Sequence, residues 1–425
     1  MEEASVLSVF DGMACGMLAM QSAGIKVGRY VAYEIEKYAI KTASHNFPMI
    51  EQRGDVFEAD FTEFEGFDFL IGGSPCTYWS IAKSVGRETV ASGMGWELFQ
   101  QYVRALHEAK PKFFVYENNK SMSKAIRASI DEAFGFEAIC INSALVSAQS
   151  RQRLYWVGKR NEDGTYSKVD IEQPEDRGIL LKDILESGYC WREKANCLCG
   201  NRGGTSLAND LTQSRHNYAA EPVGCRCRGR VDKDWNGYAK YECRDDEKAN
   251  TLDTNTTNGA MVSIPVRFVI EKFDAAVDKF GYIPQMRNPY NNAEITDKAP
   301  TQTAQCGRQT TSSTVIIFDY AIPCEWDENG KPIKAMSGAD GKAYTVYEVK
   351  DGYIAIKGKR YAIKLKDGFY IIRKLTVREC MRLQTVPEWF EFPVSDTHAF
   401  RQLGNGWTVE IISHLLRGCV ASFNF

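Results

Sequence analysis

Phe67-Asp68-Phe69-Leu70-Ile71-Gly72-Gly73-Ser74-Pro75-Cys76 leads an apolar run into two glycines, a serine, a proline and a cysteine. The run, expected as a strand over Phe67–Ile71, is apolar enough for burial on both faces, as in a parallel sheet. Its end places a thiol at the carboxyl edge of that sheet, where open α/β folds bind their ligands. The glycines allow close approach, and Pro75 fixes φ so that the next side chain points one way. A cysteine in a long chain is ordinarily a small buried hydrophobe. The company this one keeps argues otherwise.

Outward from that strand, residues 1 to about 160 alternate short apolar runs with helical patterns. Val6–Phe10, Tyr30–Tyr33, Phe113–Tyr116 and Leu154–Val157 read as further strands, and 16–24, 36–46, 96–109 and 121–134 as helices. This alternation predicts an α/β fold, a mostly parallel sheet with helices on both faces. The first strand runs into Phe10-Asp11-Gly12-Met13-Ala14-Cys15-Gly16, a tight turn that opens a helix. The second ends near Glu34, roughly twenty residues on. A small-residue turn followed by an acid after strand two marks a nucleoside-binding half, the acid accepting from ribose hydroxyls. The glycine spacing departs from the dinucleotide pattern.

At 425 residues the chain should hold two or three domains. Charged residues at 25% and hydrophobic ones at 44% are ordinary for a soluble globular protein. No run approaches the roughly 18 apolar residues of a membrane span. Met1-Glu2-Glu3 lacks the basic start of a signal peptide, and a cytoplasmic location is expected. Thirteen cysteines, irregularly spaced, fit reduced thiols better than a disulfide framework. Cys197/Cys199 and Cys225/Cys227 are C-x-C pairs, tighter than the spacing of structural zinc sites, and no metal site is assigned. The net charge of −3 argues against indiscriminate nucleic-acid binding. Charge is uneven, however: residues 331–370 carry nine Lys and Arg against four Asp and Glu.

From about 170 to 370 the character changes. Gly, Asn, Thr and Ser rise and helical periodicity fades. Tyr344–Ile372 alternates through YTVYEV, YIAIKG, YAIKL and FYIIR with Asp-Gly or Gly-Lys turns, a small meander of hairpins. Helical pattern returns at 376–384, where Thr376 and Glu379 form a capping box, and at 408–418. Three segments are therefore expected: 1–170, 171–370, and 371–425 returning to the first.

Three constellations join Cys76 in the first segment. Phe114-Val115-Tyr116-Glu117-Asn118-Asn119 ends a buried strand on a carboxylate. Gln149-Ser150-Arg151-Gln152-Arg153 sets two arginines at the lip of the next, and Asp55 follows the third. A thiol, a carboxylate and guanidinium groups at one sheet edge suit nucleophilic addition to an electron-poor ring. The thiol attacks, the acid protonates a ring nitrogen, and an arginine binds the carbonyl. Each residue alone is explained as well by a surface salt bridge; together they are not.

These motifs resemble those of the C5-cytosine DNA methyltransferases, in that family's order. FDGMACG is similar to its cofactor loop, GGSPC to its catalytic loop, ENN to its ENV, and QSRQR to its Q-x-R-x-R. RKLTVRECMRLQTVPEWF and RQLGNGWTVEI resemble its two final motifs. The match covers about 1–160 and 371–425, around the variable target-recognition domain. The resemblance implies a Rossmann-like S-adenosylmethionine-dependent methyltransferase fold with a separate, mostly β or irregular target-recognition domain. It implies S-adenosylmethionine as donor and a cytosine flipped from double-stranded DNA as acceptor.

Carried over by position, Cys76 would attack C6, Glu117 would contact N3 and the amino group, Arg153 would bind the O2 edge, and Arg151 would hold the site together. For the donor, Phe10 would stack on adenine, Glu34 would take the ribose hydroxyls and Asp55 the adenine amino group. Gly12, Met13, Val56, Pro75, Leu98 and Asn405 would line the rest. Ser80–Gly95 matches the mobile catalytic loop, with Ile81, Lys83 and Arg87 suited to groove and phosphate contacts. Arg202, Arg215, Arg226, Arg228, Arg230 and Arg308 are candidates for reading base edges.

Ser74 replaces the second proline of most bacterial members, and Ala14-Cys15 replaces two glycines, as in the branch of the animal de novo enzymes. Asn119 for the usual valine puts the shape of the cytosine pocket in question. A monomer is expected, with a cognate restriction endonuclease as partner if the chain serves a restriction–modification pair. One branch of the family methylates transfer RNA, but the long middle segment speaks against that reading. A DNA-binding relic is disfavoured by the intact Cys76, Glu117 and Arg153.

Overall fold

The structure, a computed structural model, describes residues 3–80, 85–190, 192–198, 217–223, 331–365 and 367–422. Short stretches at 207–208, 211, 226–228, 240–242, 286–287, 315–316 and 322–327 are also described. One sheet has eight strands: β1 (Ala4–Val9), β2 (Val27–Tyr33), β3 (Glu51–Gln52), β4 (Phe69–Gly72), β5 (Phe113–Asn119), β6 (Ile139–Asn142), β7 (Gln152–Arg160) and β8 (Tyr166–Lys168). Their order is β3-β2-β1-β4-β5-β7-β6, with β8 on β7. Pairing is parallel from β3 through β5, as the alternating pattern predicts. Strand β7 runs antiparallel to both β5 and β6. The link from β6 to β7, residues 143–151, is shorter than a parallel crossover needs, so the chain turns back. Strands β3, β6 and β8 are too short or too polar to be marked by the sequence pattern.

The helices are α1 (Cys15–Ser22), α2 (Lys37–Asn46), α3 (Met94–Ala109) and α4 (Lys124–Phe134). The tail adds α5 (Val377–Leu383), α6 (Asp396–Asn405) and α7 (Val409–Ala421). The helix expected over 121–134 starts at Lys124, because Ser123 Oγ accepts from Ile126 N at 3.2 Å and caps it there. In α5 the capping box forms as expected: Thr376 accepts from Glu379 N, and the Glu379 carboxylate accepts from Thr376 N.

The sheet is buried on both faces. Val6, Phe69, Ile71, Phe113, Val115 and Val157 join one core with α1 and α7. Leu7, Val31, Leu70, Phe114, Tyr116 and Trp156 join the other with α3 and α4. That is the period of two expected of strands. Phe134 stands at the centre of the second core, against Phe99, Tyr102, Phe114, Tyr116 and Trp156. Leu181, Ile184, Ala195 and Leu198 pack into the first core, so residues up to 198 continue the first unit although they follow position 170.

A second sheet of seven strands joins β9 (Tyr218–Pro222), β14 (Ile322–Trp326), β15 (Pro332–Met336), β16 (Ala343–Lys350), β17 (Tyr353–Ile356), β18 (Lys359–Ala362) and β19 (Gly368–Lys374). Two short pairs stand apart, β10 (Arg226–Arg228) with β11 (Lys240–Glu242) and β12 (Met286–Arg287) with β13 (Val315–Ile316). The hairpins turn at Asp351-Gly352 (φ 54° and 73°) and Lys357-Gly358 (φ 49° and 76°). Positive φ at both central positions is the type I′ geometry that suits twisted strands. The simple meander is not what forms. Strand β19 pairs with β16 and β9, not β18. Its run Phe369-Tyr370-Ile371-Ile372 is buried throughout, and a strand buried on both faces takes a central place.

Arg373, at the end of β19, joins the two units. It is fully buried, with Nε on Glu221 of β9 at 2.5 Å and both terminal nitrogens on Glu379 of α5 at 2.8 Å. Among the described residues no helix is long and apolar enough to cross a membrane.

Candidate active site

The ends of β1, β2 and β3 form one half of the site. The first strand stops at Val9, one residue short of expectation, because Phe10 turns to φ 60°. Gly12 follows at φ 62° and Ala14 at φ 66°, so the turn alternates through left-handed conformations. Ala14 stands where a glycine would be at ease; this conformation costs an L-residue roughly 1–2 kcal/mol. Gly16 is required by contact: a Cβ there would lie 2.4 Å from Ile71 Cδ1 and 2.5 Å from the Tyr30 hydroxyl. Gly12 N donates to Glu34 Oε2 at 2.8 Å, while Ile35 N and Glu36 N donate to Oε1 at 2.8 Å. Asp55 Oδ1 accepts from Phe57 N at 3.0 Å. Phe10, Gly12 and Leu98 are half-buried, Met13 and Val56 buried, and Pro75 and Asn405 exposed.

Asp11 is an acid that the sequence reading passed over. Its Oδ1 accepts from Ser8 Oγ and from the Tyr30 hydroxyl, both at 2.7 Å, while the buried Oδ2 has no hydrogen-bond partner. Burial pushes its carboxyl up to about 6, against those two hydrogen bonds and with help from Glu34.

The ends of β4, β5 and β7 form the other half. Glu117 lies between two donors. Arg153 Nε reaches Oε1 at 3.0 Å, and Trp407 Nε1 donates to Oε2 at 3.0 Å. Gly73 permits this: a Cβ there would lie 2.8 Å from the Glu117 carbonyl oxygen and 3.0 Å from Oε2. Arg151 is buried and works as a strut. Its terminal nitrogens donate to the carbonyls of Leu198 (3.0 Å), Gly404 (3.1 Å) and Gly406 (2.9 Å). Cys76 is half-buried, within the electrostatic reach of Glu117, Arg153 and Arg151. Burial and Glu117 raise its thiol above the ordinary range, more than the two arginines lower it.

The two departures in this half have partners. The Ser74 and Tyr116 hydroxyls are 2.7 Å apart, and Asn118 Nδ2 donates to the Ser74 carbonyl at 3.1 Å. A proline at 74 would lose the hydroxyl contact. Asn119 Nδ2 donates to the Cys76 carbonyl at 3.3 Å and its Oδ1 accepts from Ser121 Oγ at 2.7 Å. Asn119 thus ties down the backbone of Cys76, a contact that valine could not make.

Other expected positions lie elsewhere. Arg87, expected at a phosphate, donates instead to the carbonyls of Trp79 (3.0 Å) and Ser121 (2.5 Å). Ile81 and Lys83 lie outside the described residues, as do the side chains of Arg202, Arg215, Arg226, Arg228, Arg230 and Arg308. Cys199, Cys225 and the side chain of Cys227 do too, while Cys197 faces Arg151. Among the described residues no three His, Cys, Asp or Glu side chains are grouped to hold a metal ion. Asp11 and Trp407 sit inside quoted motifs, yet only tertiary contacts single them out.

Comparison with known proteins identifies the family. The family model described as C-5 cytosine-specific DNA methylase matches residues 4–421. Orphan methyltransferase M.SPRI of Bacillus phage SPR is 24% identical, over 98% of each chain. Type II methyltransferase M.FnuDI of Fusobacterium nucleatum is 30% identical over 50% of this chain and 62% of its own length. The crystal structure of a DNMT2 mutant from Spodoptera frugiperda aligns over 98% of this chain and 100% of that one, at 15% identity and a TM-score of 0.47. With a match spanning nearly its whole length, the chain belongs to the C-5 cytosine-specific DNA methylase family and is a DNA cytosine-5 methyltransferase of Rossmann-like α/β fold.

Proposed function

We propose that the protein transfers a methyl group from S-adenosylmethionine to C5 of a cytosine flipped out of a specific sequence in double-stranded DNA, through a covalent bond between Cys76 and C6. The observation that carries this reading is the convergence of Cys76, Glu117 and Arg153, with the Glu117–Arg153 pair 3.0 Å apart at the sheet edge. Flipping is needed because C5 and C6 are out of reach inside the stack. Cys76 Sγ, as thiolate, forms a bond to C6, and the C5=C6 electron pair moves toward C5 and takes the methyl group there. Loss of the C5 proton to a base then re-forms the double bond and expels the Cys76 thiolate. Glu117 contacts N3 and the amino group and helps protonate N3. Arg153 binds O2, where negative charge gathers, and Arg151 holds both flanking segments in place.

The residues of the first half fit the donor. Asp11 keeps one buried oxygen without a protein partner, which suits a cationic ligand, and Glu34 orders the turn beside it. Phe10, Glu34 and Asp55 would hold the adenosine, with Gly12, Met13, Val56, Pro75, Leu98 and Asn405 around it. When bound, the donor supplies an electrophilic methyl group on a positively charged sulfur. Sequence recognition is assigned to the middle segment after 198, since the residues before it pack into the first core.

Bisulfite sequencing of DNA from cells expressing the protein tests the whole reading. Methylated cytosines in one sequence context are expected. Unmodified DNA, together with labelled methyl transfer to total RNA, would overturn the DNA assignment.

A further inference from the structure

Cys197 plays no part in the chemistry above, yet its sulfur sits at the arginine pair. The chain brings it there by pairing with the run before β7. Ala195 N donates to Ala148 O at 2.7 Å, Ser150 N to Ala195 O at 2.9 Å, and Leu198 N to Gln149 Oε1 at 2.7 Å. Cys197 Sγ then lies 3.2 Å from an Arg151 terminal nitrogen and 3.6 Å from one of Arg153. It is also 3.5 Å from the Leu198 carbonyl.

Each nitrogen of the Arg153 guanidinium has its own partner. Nε meets Glu117, one terminal nitrogen meets the Gln152 carbonyl at 2.9 Å, and the other meets Cys197. A planar fork held at three points cannot swing, and the carboxylate paired with it is held as well. Two guanidinium groups converging on one sulfur also bring like charges together, and an acceptor sulfur between them offsets part of that repulsion.

We propose that Cys197 is a positioning residue for methyl transfer, its sulfur fastening Arg153, and through it Glu117, in the orientation that receives the base. This rests on the roles given above to Cys76, Glu117 and Arg153. The electrostatics agree with the geometry. Burial pushes the Cys197 thiol up, but Arg151 and Arg153 more than offset this and leave it below its ordinary value. Cys76 is shifted the opposite way. The stretch around Ala195 and Leu198, which packs into the first core beyond the expected boundary at 170, thus sends one side chain into the site.

The test compares wild type, Cys197→Ala and Cys197→Ser in steady-state methyl transfer to DNA. In Cys197→Ala, kcat should fall at least about tenfold while KM for DNA and donor affinity change little, the mark of an interaction that matters in the transition state. Cys197→Ser keeps an acceptor in a smaller, less polarisable side chain and should fall between. A second readout needs no variant: in native wild type at neutral pH, iodoacetamide should alkylate Cys197 ahead of Cys76, as mapped by mass spectrometry. A Cys197→Ala kcat equal to wild type, or prior alkylation of Cys76, overturns the inference. Wild type inactive on every DNA would instead indict the underlying reading.

Discussion

Burial and the Glu117 carboxylate keep the proton on Cys76, although the thiolate is the form that attacks. The sign for pH follows. With the thiol raised above its usual value of 9.0, the reactive fraction grows about tenfold per pH unit through neutrality and does not level off near pH 8. Single-turnover methylation across that range should show the continuing rise; a plateau by neutral pH would contradict it. On the donor side, Glu34 takes three backbone N–H groups and is proposed to take the ribose. Glu34→Gln should weaken donor binding by about tenfold or more, since a hydrogen bond to a charged group contributes roughly 1.5–3 kcal/mol. Calorimetric titration reads this directly, and an unchanged affinity would remove Glu34 from the donor site. Cys76, Glu117 and the two arginines were legible in the sequence because each lies at or near one end of a recognisable strand. Asp11, Trp407 and Cys197 were not, because their partners lie 19, 290 and 46 positions away.

At the scale of elements, α1 is seated on the sheet through Gly16, where any side chain would meet Ile71 and Tyr30. Gly16→Ala should cost about 1–3 kcal/mol by overpacking and tilt the turn before α1. Denaturant unfolding measures the first effect and donor binding the second. Unchanged stability would mean that the helix shifts freely. The second core makes the opposite case. Removing the Phe134 ring from its five aromatic neighbours should cost about 3–5 kcal/mol in Phe134→Ala, read by the same unfolding curves. Elements with strong period, such as β4, β5 and α3, were legible to within two or three residues at their ends. Strand pairing was less so. The antiparallel placing of β7 follows from the length of the link before it, and the central place of β19 from its unbroken apolar run. Both signals lie in the sequence, but they count only once a sheet exists to receive them.

At the scale of the molecule, Arg373 is the joint between the two sheets. It has no exposure and carries two carboxylates, Glu221 from one side and Glu379 from the other. Burial raises Glu221, yet Arg373, Ser187, Gly338 N and Ser337 together hold it below its ordinary value. Its stabilisation is therefore present above about pH 4.5 and lost as pH falls through the lowered value. Arg373→Met would leave both acids buried without a partner and should cost about 3–5 kcal/mol, visible as a drop in Tm. An unchanged Tm would show that the units are held by other contacts. The central claim remains the covalent step. Wild-type protein incubated with S-adenosylmethionine and DNA carrying 5-fluorocytosine should give a protein–DNA complex that survives denaturation, and Cys76→Ser should give none. No complex with wild type on any DNA sequence, or an equal one with Cys76→Ser, would contradict the account.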